Sequence, residues 1–178
     1  MPFSMSQACL PALTIGLEAL SNNLAKAEAY AAEKKFDASV LLNTRLAPDM
    51  FPLVRQVQVA TDLAKNGASR LAGVEPPRYE DTEKTVDELK ARLAKTVAYL
   101  KTLDAKAIDG SADRPIVFPL GPQYKGEMNG ADYLNHFVLP NVYFHLTAAY
   151  CILRHCGVNV GKQDFLGAIP MKMTPTGA

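Results

Sequence analysis

Between Ser4 and Lys35 the apolar residues Leu10, Leu13, Leu17, Leu20, Leu24, Ala27 and Ala31 recur at spacings of three and four. That spacing predicts a helix with one buried stripe. Pro11 falls early in it, where a helix still tolerates proline. Phe36 to Pro52 reads as a connection, with Asp37 placed to cap a short turn through Leu42. Pro48 and Pro52 bound the start of a second long helix, along which Met50, Leu53, Val57, Ala60, Ala64, Ala68 and Leu71 share a face. Gly73 fits its C-terminal cap, and Pro76-Pro77 prevents continuation.

A third helix is expected from about Thr85, because Thr85 and Glu88 form a capping-box pair. Val86, Leu89, Leu93, Val97, Leu100 and Leu103 supply its apolar stripe, and Lys90, Arg92, Lys95 and Lys101 are read as its solvated side. From Asp104 to Gly130 glycine and proline take over. Ile116, Phe118 and Leu120 alternate with Val117 and Pro119 ahead of Gly121-Pro122, which suggests a short hairpin. The fourth helix is expected over Ala131 to Cys156, ended by Gly157 and kinked at Pro140. Phe165 and Leu166 should dock on the helices. The expected fold is all-α: a four-helix bundle over residues 1–170, with a small β-hairpin or irregular insertion between the third and fourth helices. Residues 171–178 follow as a frayed tail.

Composition narrows the partners. The chain has 178 residues, 48% of them hydrophobic, with 19 Lys plus Arg against 18 Asp plus Glu. A charge this even excludes a dedicated nucleic-acid surface or a polybasic membrane surface. No apolar run reaches membrane-spanning length, so no membrane partner is expected. Cys9, Cys151 and Cys156 do not make a disulfide framework, and no basic residue precedes Lys26, so a reduced, cytoplasmic setting is expected.

Candidate chemistry centres on three histidines, all in the fourth helix. At about 100° per residue, His136 and His145 fall on opposite sides and His155 on neither, so one straight helix cannot gather them into a metal site. His145 shares its side with Leu134, Val138, Ala149 and Ile152 and should point into the core. It reads either as a buried neutral histidine or as a pocket residue, with Gln56 the first expected partner and an ordered water the second. His136 lies with Tyr143, Tyr150 and Arg154 on a surface or interface side. His155 suits the helix C-terminus. Cys151 and His155 are spaced as a ligand pair, but zinc takes at least three protein ligands and no CxxC or HExxH pattern supplies more. Gly161-Lys162 is not a phosphate loop, since GxxxxGK[ST] is missing.

The run from Tyr143 to Tyr150, Ile152-Leu153-Arg154, Gly157-Val158, Gly161-Lys162 and Asp164 to Gly167, together with Asn43 to Met50, resembles an uncharacterised bacterial branch of the DinB/YfiT-like helical bundles. The resemblance runs from Leu10 to Gly167. It implies a four-helix bundle, often a homodimer. In metal-binding members it implies a divalent ion held by one histidine of the second helix and an HxxxH pair of the fourth. His145 matches the first histidine of that pair, and Ala149 stands at the second. The second helix has no histidine, and Asp49, Gln56 and Gln58 are its nearest polar candidates.

Two readings follow. One is a binding or structural module with a degenerate metal site that keeps a polar pocket near His145 and takes a small-molecule ligand. The other is an enzyme of transferase or hydrolase type, metal-dependent or metal-independent. The candidate pocket residues are His145, Asn141, Gln56, Asp49, His136 and Tyr150. No cofactor is expected, because the ligand pattern does not support a divalent metal such as zinc or nickel. A homodimer is expected from the resemblance and from Tyr133, Tyr143 and Tyr150, which sit off the apolar side of the fourth helix.

Overall fold

Ser4 opens the first helix with a capping box. Its side chain accepts from the Gln7 amide, and the Gln7 side chain returns to the Ser4 amide. The helix, α1, runs Met5–Lys34 and carries Pro11 within it; Lys35 closes it in the left-handed region at φ 60°. The computed structural model describes residues 3–172 and 174. The tail expected to fray, 171–178, falls largely outside them; Met171, Lys172 and Thr174 carry no regular element. Leu13, Leu17 and Leu24 of the predicted stripe are fully buried.

Asp37 precedes Ala38, the N-cap of the short helix α2 (Ser39–Leu42), and accepts from the Ser39 amide at 2.8 Å. The next long helix, α3, spans Leu53–Ala72. Met50 lies ahead of it, in a turn, and so is not part of the buried stripe. Gly73 ends α3 at φ 74°, and an added Cβ there would lie 2.8 Å from Arg114 Nη1. Arg114 needs that room because its Nη2 donates to the Arg70 and Leu71 carbonyls in the last turn of α3.

Thr85 and Glu88 form the expected capping box at the head of α4 (Val86–Leu100). A short helix α5 (Ala105–Asp109) precedes the antiparallel hairpin of β1 (Pro115–Leu120) and β2 (Tyr124–Asn129), in which Phe118 pairs with Gly126. Ile116 and Phe118 are its buried residues on β1. Gly130 begins α6 (Gly130–Asp132) so close to Ser111 that a Cβ would meet the Ser111 carbonyl oxygen at 2.0 Å.

The last long helix departs from expectation at its proline. A π-helical stretch, Tyr133–Val138, separates α6 from α7 (Leu139–His155), and Pro140 stands in the first turn of α7. Proline lacks the amide that an α-helix would use there. A wider turn just before it shifts the ladder by one residue, so the chain continues as a helix. A short helix, α8 (Lys162–Leu166), packs on α1.

Helices α1, α3, α4 and α7 pack around one core that includes Leu17, Val57, Leu93 and Ile152. Among the described residues, no helix is long and apolar enough to cross a membrane.

Tyr133, expected off the apolar side, is 1% exposed instead. Its ring lies against Phe118 and Phe137, and its hydroxyl accepts from Arg70 at 3.2 Å. The hairpin covers it, and that cover has no periodic signature of its own. Of the three tyrosines, Tyr143 is exposed and Tyr150 half-buried.

Candidate functional site

Gln56 lies in the first turn of α3, beside Leu53 and Val57 on the buried face, and is 1% exposed. A buried amide must find partners for both of its ends. Its Nε2 donates to the Phe51 carbonyl at 3.0 Å, and its Oε1 lies 2.7 Å from His145 Nδ1. His145 reaches it from α7, five residues after Pro140, at 8% exposure. The Phe144 ring meets the imidazole edge-on, with centroids 5.2 Å apart. Burial holds the His145 pKa below its usual value, and the Arg55 guanidinium adds to that.

The other candidates are elsewhere. Asp49 is exposed in the turn before α3. Asn141 turns its amide back onto the Phe137 carbonyl at 2.7 Å. His136 is exposed, with Nε2 3.6 Å from Asp132 Oδ1. Tyr150 packs edge-on against Phe165 of α8, centroids 5.7 Å apart. Of the six, then, the fold joins only His145 and Gln56. Gln58 also points away, donating to Glu83 at 2.9 Å.

The donor set does not suit a divalent ion. Ala149 is fully buried and offers no ligand atom, Gln56 offers an amide oxygen, and one ring nitrogen of His145 is already engaged with it. Among the described residues no three His, Cys, Asp or Glu side chains gather as a metal site would require.

A larger polar cluster went unpredicted. Arg92 was expected on the solvated side of its helix, yet its side chain is 2% exposed. Its Nε donates to Thr61 at 2.7 Å, Nη1 to the Glu80 carbonyl at 2.9 Å and to Glu83 at 3.0 Å. Nη2 reaches Asp62 at 3.0 Å and Asp81 at 3.1 Å. Asp81 also pairs with Arg55, the neighbour of Gln56. Lys65, 3% exposed, donates to the Pro77 carbonyl at 2.6 Å. Burial holds its pKa below the usual lysine value. The Tyr79 ring lies within reach of three cations: Lys95 at 4.2 Å, Lys65 at 4.7 Å and Arg92 at 5.4 Å from its centroid.

These contacts tie the connection between α3 and α4 across both helices. A signal for Arg92 was present in its spacing: it lies three residues after Leu89 and four before Thr96, both buried. A cleft of about 460 Å³ opens beside Tyr79, between the connection and α4; His145 does not line it.

A domain family described as "Domain of unknown function (DUF1993)" matches residues 5–166. Among solved structures, a crystal structure of a DinB family member protein from Shewanella denitrificans is similar to this chain. It is 40% identical over 95% of each chain, with a TM-score of 0.87. No curated protein matches the chain.

Proposed function

The chain belongs to the DUF1993 family, DinB-like in fold, and from that membership we propose that it is a binding module, a four-helix bundle in which a hydrogen-bonded Gln56–His145 pair stands where metal-binding relatives hold an ion. The observation that carries this reading is the 2.7 Å contact from His145 Nδ1 to Gln56 Oε1. The amide satisfies a ring nitrogen that would otherwise be left with an unpaired polar atom, at a cost of about 1–3 kcal/mol. The ligand is a small molecule reached through the exposed part of His145. The working unit is a homodimer in the cytoplasm, a proposal supported by the exposed Tyr143 and Phe144 of α7. Light scattering should then give twice the 19.3 kDa chain mass, and a 19.3 kDa species would contradict it.

A second reading, a metal-independent enzyme of transferase or hydrolase type, is favoured by one feature. Burial and Arg55 keep the His145 imidazole neutral near neutral pH, the form a general base needs.

Elemental analysis of protein purified without an affinity tag tests the main reading. It predicts no stoichiometric zinc, nickel or iron. One equivalent of any of them would overturn it.

A further inference from the structure

We infer that Gln56 is a positioning residue that locks His145 in its Nδ1–H tautomer and thereby presents Nε2 as a bare acceptor for a ligand bearing a weakly acidic hydroxyl. The inference rests on the binding reading above and deepens it by naming the ligand class.

The Phe51 carbonyl can only accept, so the Gln56 atom facing it at 3.0 Å is the donating Nε2. That fixes the amide, and Oε1 faces the imidazole. An amide oxygen can only accept, so Nδ1 at 2.7 Å must carry the proton. In a neutral ring the other nitrogen, Nε2, then holds a lone pair. Among the described residues Nε2 has no hydrogen-bond partner, and it is not among the fully buried unpaired atoms, so it meets the surface.

Its surroundings select the ligand. Phe144, 57% exposed, lies against the imidazole, and Phe51, 49% exposed, begins the relay. Arg55 stands over the Phe51 ring, its guanidinium carbon 5.9 Å from the centroid. A neutral acceptor beside the Phe144 ring and in the field of Arg55, whose charge Asp81 shares, favours a molecule with an apolar body and a weakly acidic hydroxyl that donates to Nε2. A carboxylate brings no proton to Nε2, and an ammonium would meet Arg55.

Nitrogen-15 histidine NMR in mildly alkaline solution tests this, with phenol as the probe. Wild-type His145 should show a protonated Nδ1 and a pyridine-like Nε2, the reverse of the tautomer a free histidine side chain prefers. Gln56→Leu should return the ring to the Nε2–H form. Gln56→Glu keeps the acceptor, so it should retain the lock and move the His145 titration upward. Phenol should shift the Nε2 resonance of the wild type and not that of Gln56→Leu. A wild-type ring protonated at Nε2 overturns the lock, whether or not the variants fold. An Nε2 resonance indifferent to phenol overturns the ligand class. A stoichiometric metal would defeat the binding reading and leave the tautomer result standing, so the two failures are distinguishable.

Discussion

Arg92 and His145 are both nitrogen-rich side chains buried on helix faces, and they are equipped in opposite ways. Arg92 has an acceptor for every direction its guanidinium points: Thr61, the Glu80 carbonyl, Glu83, Asp62 and Asp81. His145 has Gln56 on one nitrogen and nothing described on the other. A saturated group has no bonding capacity left for a ligand, so its contacts hold the architecture. A half-satisfied group at the edge of the core keeps capacity for something that arrives later. On the proposed reading the Arg92 cluster holds the architecture and the His145 pair does the recognition, although it is the cluster that lines the cleft beside Tyr79.

The comparison breaks most visibly at Arg92. Arg92→Met takes from Glu83 its buried cation and from Thr61 and the Glu80 carbonyl their donor, while Asp81 keeps Arg55 and Asp62 keeps Lys65. We expect a loss of about 3–5 kcal/mol in urea unfolding, the usual cost of breaking a buried charge pair. A change under 1 kcal/mol would mean that water already screens the cluster.

The sequence makes one of these regions legible and hides the other for a physical reason. Gln56 and His145 lie on helices whose apolar periodicity announces which side is inside, so their pairing could be anticipated from the buried faces alone. Arg92 sits on an equally regular helix, but its burial depends on residues 74–85, which carry no periodicity. Without that cover a charge between Leu89 and Thr96 looks solvated. The burial of Tyr133 is hidden in the same way, because the hairpin that covers it carries no clear periodicity. The π-helical stretch before Pro140 was hidden too: proline announces a disturbed ladder and not which disturbance. Asp49 is near the second helix in sequence but not in it, because the helix begins only at Leu53.

Smaller effects sharpen the other side. Gln56→Leu leaves His145 Nδ1 and the Phe51 carbonyl without their partner, and His145→Leu strands Gln56 Oε1. Each should cost about 1–3 kcal/mol by the same unfolding assay, less than the loss at Arg92.

Acid should act through His145 more weakly still. Its folded pKa lies below the ordinary 6.5, so the unfolded chain takes up the proton first as pH falls. The full stability is present above pH 6.5 and is lost progressively below it, toward the folded value. A melting-temperature series against pH should show that loss in wild type and a shallower one in His145→Leu. Equal slopes would remove the titration from His145.

The smallest effect leaves stability untouched. Burial pushes the Cys9 thiol up to about 12, so it stays protonated and shielded in the folded chain. Mass spectrometry after thiol labelling at about pH 8 should find Cys9 unmodified in native protein and modified in urea.

The account stands or falls on Gln56 and His145 acting as one unit. A double-mutant cycle measures that directly, comparing Gln56→Leu, His145→Leu and the two together by urea unfolding. The account predicts that the double variant loses less than the sum of the singles, by roughly 0.5–3 kcal/mol, because removing both partners strands neither. Losses that add to within about 0.5 kcal/mol would show two independent side chains and contradict it.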